Sequence, residues 1–179
     1  MLFRSELFWS GIYGSWEGSS LRVWVKAARG ARVVLDVGAN TGLYALAAKA
    51  VAPGASITAF EPVERIRAKL QANVELNRYD IRVDPTAVSD RDGEGIMLDT
   101  GEEHEISATL DPAGEARSGR VRERITVPLA RLDTLVARGT IAPPDLLKID
   151  VEGHEPAVLL GMVEQLRRHR PALLIEVLS

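Results

Sequence analysis

The stretch VVLDVGANTG at positions 33–42 decides the fold. Its apolar start predicts a buried parallel strand. The glycines that follow, Gly38 and Gly42, allow a tight turn in which the backbone approaches a ligand closely. The alanine-rich segment 43–51 then predicts a helix. This order of strand, turn and helix is typical of the first unit of a nucleotide-binding α/β sheet.

The turn departs from the glycine pattern of dinucleotide-binding folds. Asn40 takes the place of the glycine that makes room for a pyrophosphate. A ligand without phosphate therefore fits better, because backbone N–H groups can bind a carboxylate while Asp36 binds an ammonium group. S-adenosylmethionine carries both groups at its amino-acid end. We therefore expect S-adenosylmethionine as cofactor, bound by Asp36, Gly38, Ala39, Asn40 and Gly42.

An acid also ends the second predicted strand, at 57–61. Glu61, followed by Pro62, lies at the tip of that strand. Its carboxylate can accept both hydroxyls of a ribose, and its charge would repel the 2′-phosphate of NADP. Glu61 is therefore predicted to bind the ribose of the cofactor.

Strands and helices alternate along the rest of the chain. Helices are predicted over 64–76, 131–136 and 156–168, and strands over 81–88, 146–150 and 172–177. Between 93 and 129, turn residues and short β-prone pieces predict an inserted hairpin. The alternation favours an α/β fold with a doubly wound, mostly parallel sheet and a ligand at the carboxyl ends of its strands.

We expect one methyl-donor-binding domain over residues 31–179, preceded by an aromatic-rich segment, 1–30. Six of the nine aromatic residues lie in the first 24 positions. Two interpretations stay open: a helical cap that packs its rings on the sheet, and a lid in which Tyr13, Trp16 and Glu17 face the cofactor. The chain ends after the fifth predicted strand, so we expect the final C-terminal strand pair to be lacking. Either the sequence is a shortened piece, or copies form a homo-oligomer through the open sheet edge.

Composition favours one globular core and argues against several partners. Of the 179 residues, 46% are hydrophobic, and the formal net charge is −3 without a basic face. This balance argues against binding to nucleic acid or to a membrane surface. The chain has no cysteine, which excludes disulfides, a catalytic thiolate and cysteine metal sites. With no apolar run of membrane-spanning length and no signal-peptide pattern, we expect a cytoplasmic protein.

Four motifs together resemble the FkbM family of S-adenosylmethionine-dependent methyltransferases. They are DVGANTG at 36–42, FEP at 60–62, AVSD at 87–90 and LKIDVEG at 147–153, in the order and spacing of that family. The resemblance implies the Rossmann-like fold of class I methyltransferases. It implies O-methylation of a hydroxyl on a small metabolite, such as a polyketide or a sugar. It also implies that Pro62, Ala87 and Val88 contact the cofactor, the latter two near its adenine.

Candidate catalytic residues follow the strand at 146–150. Methyl transfer from a sulfonium mainly requires the acceptor oxygen to be held close to the methyl carbon, with a base for its proton. Asp150 ends that strand, where the methyl group should lie, so we assign it to both cofactor binding and catalysis. Glu152 and His154 follow on the loop. His154 is either the general base, since its ordinary pKa of about 6.5 suits that role, or a helix-start histidine bonded to the backbone.

Asp150, Glu152 and His154 also offer oxygen and nitrogen ligands at short spacing. Such a group is weak evidence for a metal ion, and we assign no metal. Two other functions stay open. An NAD-dependent oxidoreductase is disfavoured by Asn40 and by the lack of a Tyr-x-x-x-Lys pair. A catalytically silent S-adenosylmethionine-binding module would keep the pocket and lose the transfer, and the expected lack of the last strand pair keeps that alternative open.

Overall fold

The computed structural model describes residues 18–99, 108–109 and 123–176. The helices are α1 (Gly18–Ala28), α2 (Leu43–Val51), α3 (Glu64–Asn77), α4 (Leu132–Ala137), α5 (Glu155–Leu160) and α6 (Val163–Arg168). The strands are β1 (Val33–Val37), β2 (Ser56–Phe60), β3 (Arg82–Asp84), β4 (Ala87–Val88), β5 (Gly93–Asp99), β6 (Ala108–Thr109), β7 (Glu123–Ala130), β8 (Leu146–Ile149) and β9 (Ala172–Ile175).

Five parallel strands form the main sheet, in the order β3-β2-β1-β8-β9. The register pairs Asp36 of β1 with Ala59 of β2 on one side and with Lys148 of β8 on the other. The carboxyl ends of these three strands therefore lie side by side. The predicted α/β fold with a mostly parallel sheet is confirmed.

Both faces of the main sheet are covered by buried apolar side chains. Val34 of β1 belongs to a cluster with residues of α1, α2 and α3, whereas Leu35 and Val37 belong to a second cluster with residues of α4 and α5. Neighbouring residues of a strand point to opposite faces, so both faces of β1 must be apolar in this arrangement. That is why β1 is a continuous apolar run broken only by Asp36.

Helix α1 packs on α2 through one aromatic residue. Trp24 is 1% exposed, and its indole N–H donates to the carbonyl oxygen of Tyr44 over 2.9 Å. The two rings meet edge to face, with centroids 5.7 Å apart. The other aromatic residues of the first segment, together with Glu17, lie outside the described residues, so the cap and the lid both stay predictions.

A second sheet, in the order β4-β7-β5-β6, adjoins the rim of the first. Its antiparallel β5 and β7 pair from Gly93 opposite Leu129 to Asp99 opposite Glu123. The single strand predicted over 81–88 is wrong, because the chain divides at Pro85 into β3 in the main sheet and β4 in the second. Pro85 has no N–H for a sheet hydrogen bond, and the Asp84 carboxylate accepts the N–H of Thr86 over 3.0 Å at this corner.

The helix predicted over 156–168 is also wrong in its length, since α5 and α6 are separated at Gly161 and Met162. A Cβ on Gly161 would overlap the carbonyl oxygen of Ser89, so the chain after β4 packs directly on the break. Asp133 of α4 then accepts the N–H groups of Glu164 and Gln165, over 3.2 Å each, and so caps the start of α6. Contacts distant in sequence thus override the helical periodicity.

Strand β9 forms one edge of the described main sheet. Residues 177–179 lie outside the described part, so the lack of a further strand pair and association through this edge stay predictions. None of the helices in the described ranges combines the length and apolar character that a membrane-spanning helix needs.

Candidate cofactor-binding and active site

A cleft opens at the carboxyl ends of β1, β2 and β8, beside β4. The empty space in and above it, part of which is open solvent, is about 620 Å³. Its lining residues come from the ends of β1 and β2 (Val37, Gly38, Asn40, Phe60, Glu61, Pro62), from α3 (Ile66), from the second sheet and its approach (Thr86, Ala87, Val88, Met97) and from the loop after β8 (Asp150, Val151, Glu152, His154).

The cleft brings together most of the residues that the sequence pointed to. Those that line it are Gly38, Asn40, Glu61, Pro62, Ala87, Val88, Asp150, Glu152 and His154. Three others, Asp36, Ala39 and Gly42, are absent from its lining. The turn after β1 explains why.

Three residues of this turn adopt left-handed backbone conformations: Gly38 at φ 78°, Asn40 at φ 52° and Gly42 at φ 93°. A Cβ on Gly38 would overlap the carbonyl oxygen of Asp150, so the glycine lets the turn touch the loop after β8. A Cβ on Gly42 would overlap the side chain of Leu70. Gly42 is therefore required by packing on α3, whereas Gly38 is required at the cleft itself.

The backbone N–H groups of the turn bind within the protein. Those of Gly38 and Ala39 donate to the carbonyl oxygen of Phe60, and that of Gly42 donates to the carbonyl oxygen of Ala39. The N–H of Asn40 donates to Glu61 over 3.0 Å. These bonds hold the turn against the end of β2, and binding of a ligand carboxylate by these N–H groups stays a prediction.

Asp36 lies beneath the turn and is only 1% exposed. Its Oδ2 accepts the N–H of Ala45 over 2.9 Å, in the first turn of α2. A carboxylate at this place satisfies a helix N–H group and interacts favourably with the helix dipole. The contacts of Asp36 thus fix the start of α2, and direct contact with an ammonium group stays a prediction.

Glu61 joins the tips of β1 and β2 and also lines the cleft. Its Oε2 accepts the N–H of Asn40 over 3.0 Å and its Oε1 that of Val63 over 2.9 Å. Burial raises the pKa of this carboxyl to about 7, against the opposing effects of the two N–H groups and the Arg67 guanidinium, while nearby Asp36 raises it slightly further. Glu61 is thus a buried acid that titrates near neutral pH.

Asp150 begins the loop after β8 and is bound to a buried cation. Its Oδ2 lies 2.5 Å from Nζ of Lys148, which is only 4% exposed. The same ammonium lies 4.3 Å from the centre of the Tyr44 ring. A buried ammonium requires such partners, because an unpaired charge in the core is very costly. The ion pair therefore holds Asp150 at the edge of the cleft.

Glu155 holds the rest of this loop, a role that the sequence analysis missed. Its Oε1 accepts the N–H of Val151 over 3.1 Å and that of Gly153 over 3.2 Å. Between these bonds Glu152 and Gly153 adopt left-handed conformations, at φ 55° and φ 98°. An acid in the first turn of a helix, shortly after a glycine, can reach back to such N–H groups, and this was the available signal.

His154 lies on the same loop and contacts the segment that follows β4 of the second sheet. Its Nε2 lies 2.9 Å from Oγ of Ser89. The sequence placed Ser89 only within a family motif, and it gave no signal that Ile66 or Met97 would line the cleft. Met97 reaches it through the pairing of β5 with β7, which connects distant segments. Within the described ranges, no three His, Cys, Asp or Glu side chains are grouped so as to hold a metal ion.

Comparison with known proteins identifies the family. A model of the methyltransferase FkbM domain matches residues 36–179, which include the whole cleft lining. The chain belongs to the FkbM methyltransferase family. The 31-O-demethyl-FK506 methyltransferase FkbM of Streptomyces tacrolimicus is 35% identical over 153 residues, which cover 73% of this chain and 59% of that protein.

A second relative and a solved structure extend the comparison. The 2-O-methyltransferase NoeI of Sinorhizobium fredii is 29% identical over 148 residues, covering 77% of this chain and 60% of that protein. This chain therefore spans about three fifths of the length of these two relatives. The crystal structure of methyltransferase FkbM from Methylobacillus flagellatus KT matches with a TM-score of 0.56 at 17% identity, over 80% of this chain and 32% of that one. The structural match confirms the methyltransferase-type fold.

Proposed function

We propose that this FkbM-family chain transfers a methyl group from S-adenosylmethionine to a hydroxyl oxygen of a small molecule. The observation that carries the proposal is the cleft that unites Glu61, at the tip of β2, with Asp150 and His154 after β8. Family membership supports methyl transfer. The names of the two relatives, which both specify an oxygen, support oxygen as the accepting atom.

The charges of the cleft suit a cationic ligand without phosphate. Among its described lining residues, the titratable side chains are His154 and the acids Glu61, Asp150 and Glu152, and none is a lysine or an arginine. S-adenosylmethionine, when bound, supplies a methyl group on a positively charged sulfur. An acidic lining favours such a cation, whereas the pyrophosphate of NAD would require N–H groups or basic side chains. This difference disfavours the oxidoreductase alternative.

The adenosine part of the cofactor fits the part of the cleft near Glu61 and the second sheet. Each Glu61 oxygen accepts one backbone N–H and has capacity for a further hydrogen bond, which matches two neighbouring ribose hydroxyls. Ile66, Ala87 and Met97 belong to one buried apolar cluster, and with Val88 they line the cleft. This apolar surface suits a flat base. We assign Glu61 to the ribose and this surface, together with Pro62, to the adenosine.

The turn after β1 supports the cofactor mainly through its shape. Gly38 and Asn40 line the cleft, so we assign them to direct contact. Asp36, Ala39 and Gly42 hold the turn between α2, β2 and α3. We therefore propose that these three residues fix the turn against which the cofactor lies.

The loop after β8 supplies the groups for the acceptor. Asp150 is fixed by Lys148, and His154 is bonded to Ser89. A carboxylate can orient a hydroxyl by accepting its hydrogen, and an imidazole can take up the proton that the hydroxyl loses on methylation. We assign Asp150 to orientation of the acceptor and His154 to proton removal, while Glu152 adds negative charge beside a sulfonium.

Calorimetry and a transfer assay test the proposal. We expect the chain to bind S-adenosylmethionine and S-adenosylhomocysteine but not NAD, and to move labelled methyl groups onto some members of a panel of hydroxylated compounds. Glu61→Ala should weaken binding of S-adenosylmethionine by about tenfold or more, because it removes a charge-assisted acceptor.

Asp84→Asn is the matched control. Asp84 lies at the tip of the neighbouring strand β3 and is absent from the cleft lining, and its carboxylate binds Arg82 and the N–H of Thr86. Thr86 does line the cleft, but asparagine keeps an oxygen that can accept its N–H. We expect this variant to bind S-adenosylmethionine as the wild type does. Tight binding of NAD instead would reject the proposal, and cofactor binding without transfer to any acceptor would favour the catalytically silent module.

A further inference from the structure

We infer that Ser89 and Asp90 are positioning residues for His154. Their hydrogen bonds keep a proton on Nε2 of its imidazole and leave Nδ1 as the nitrogen that takes the proton of the acceptor. The inference deepens the proposed function and rests on it, since it names the basic atom of that reaction.

The three side chains form a continuous hydrogen-bond chain. Oγ of Ser89 lies 3.1 Å from Oδ1 of Asp90 and 2.9 Å from Nε2 of His154. The chain connects the segment after β4 with the loop after β8, so it crosses from the second sheet to the main sheet. The bond to His154 has an ordinary length, and the bond to Asp90 is at the long end for a hydroxyl donor.

Counting protons decides the direction of these bonds. Oδ1 of Asp90 accepts from Nη1 of Arg91 over 3.3 Å as well as from Ser89. An ionised carboxylate can only accept, so the single hydroxyl proton of Ser89 is directed to Asp90. The oxygen of Ser89 must then accept from His154, which requires a proton on Nε2. A neutral imidazole with that proton has its lone pair on Nδ1.

The backbone of Ser89 is held in place on both sides. It is fully buried, and its backbone N–H donates to the carbonyl oxygen of Ala130 over 3.0 Å. Its own carbonyl oxygen lies against Gly161, where a Cβ would overlap it. The glycine at the break between α5 and α6 thus makes room for the residue that orients His154.

Nuclear magnetic resonance of the imidazole tests the bond direction without any substrate. Long-range nitrogen–proton spectra of ¹⁵N-histidine-labelled protein distinguish the two neutral tautomers, and His154→Gln identifies the signals of His154. We expect the tautomer with the proton on Nε2. The tautomer with the proton on Nδ1 would overturn the inference, whatever the protein does to S-adenosylmethionine.

Asp90→Ala extends this measurement at a partly exposed side chain. Without the carboxylate, the Ser89 hydroxyl is able to donate to Nε2, so we expect the other tautomer to become populated. A spectrum identical to that of the wild type would reject the role of Asp90.

Ser89→Ala tests the effect on turnover. We expect kcat to fall about tenfold, the lower part of what general acid–base groups contribute, with unchanged affinity for S-adenosylmethionine. Thr134→Val is the matched control, because Thr134 donates a similar hydroxyl bond to Asp92 over 2.9 Å, away from His154. Its kcat should equal that of the wild type. An unchanged kcat in Ser89→Ala would overturn the inference.

A double-variant cycle separates positioning from a general structural role. If Ser89 acts through His154, adding Ser89→Ala to His154→Gln should cause no further fall in kcat. A further fall of the same size would show that Ser89 acts independently and would reject the inference. If the wild-type protein transferred no methyl group, the proposed function would be rejected instead. The tautomer measurement would then test only the hydrogen bonds among Ser89, Asp90 and His154.

Discussion

The turn after β1, residues 37–42, and the loop after β8, residues 150–155, are stabilised in the same way but contribute different side chains to the cleft. Each leaves a buried parallel strand through left-handed residues, and each is held by a glutamate that accepts backbone N–H groups. Glu61, at the tip of β2, holds the turn, and Glu155 holds the loop. Each region therefore needs an acid to stabilise an unusual backbone path.

The two glutamates differ in what else they face. Glu61 lines the cleft, whereas Glu155 is buried and absent from its lining. In our proposal, one carboxylate thus serves both the shape of the turn and the ligand. The loop separates these tasks, because Glu155 holds the backbone while Asp150 and His154 face the cleft. Substitutions in the turn should therefore change stability and binding together, whereas those in the loop should change turnover with smaller effects on cofactor binding.

The largest effect is expected where the two regions touch. Gly38→Ala would place a Cβ against the carbonyl oxygen of Asp150 at a positive φ. We expect it to lower the free energy of unfolding by more than about 3 kcal/mol, as measured by chemical denaturation. Gly30→Ala is the control, since a Cβ there would meet nothing within 4 Å. Equal stability of Gly38→Ala and wild type would show that the two regions are not in such close contact.

Glu61 should make stability depend on pH. Its carboxyl has a pKa of about 7 in the folded protein, chiefly because of burial, against 4.5 ordinarily. The folded state therefore binds this proton more tightly, so the stabilisation is complete below about pH 4.5 and is lost as the pH rises to about 7. The wild type should lose about 3 kcal/mol more than Glu61→Gln over this range. Denaturation series with the same pH slope for both proteins would contradict this.

Asp150→Asn should lower turnover without an equal loss of cofactor affinity, and it should also lower stability, because the buried Lys148 ammonium loses its charged partner. We expect kcat to fall about 100-fold, since the variant loses the charge that orients the acceptor, while affinity for S-adenosylmethionine changes little. Asp145→Asn is the control, because Asp145 binds the N–H groups of Arg32 and Val33 at the opposite end of β8. Its kcat should be unchanged. A fall in affinity as large as the fall in kcat would place Asp150 in cofactor binding alone.

Glu155 offers the smallest and most selective test. Glu155→Ala removes the acceptor of two backbone N–H groups, so we expect kcat to fall about tenfold and the stability to drop by about 1–3 kcal/mol. Glu155→Gln keeps an amide oxygen at the same place and should recover part of both. If cofactor affinity fell and kcat did not, the division of tasks between turn and loop would be wrong.

The sequence predicted the position of the cleft because parallel strands that are buried on both faces are continuous apolar runs. Val33–Val37 and Leu146–Ile149 are such runs, each interrupted by one charged residue, Asp36 or Lys148, and the residue after each run lies at the same edge of the sheet. The resemblance of four motifs to the FkbM family, confirmed by the match over residues 36–179, indicated that methyl transfer is the reaction to expect. Glu61, Asp150 and His154 were therefore found from local pattern and family likeness.

Hydrogen-bond partners distant in sequence could not be found in this way. The sequence did not indicate that Asp36 would bind α2 or that Ser89 would meet His154. It also predicted one strand across Pro85 and one helix across Gly161, because periodicity records which residues are apolar and not which sheet or segment lies beside them.

The sequence by itself determined the parallel α/β sheet, the family and the edge at which acidic residues gather, since these depend on local hydrophobic order and on short motifs. Only the tertiary structure decided which polar atoms face the cleft and which are bound within the protein. The physical reason is that a buried N–H or carboxylate must find a partner wherever packing brings one. In this chain the partners of Gly38, Glu61 and Ser89 lie on other segments of the fold.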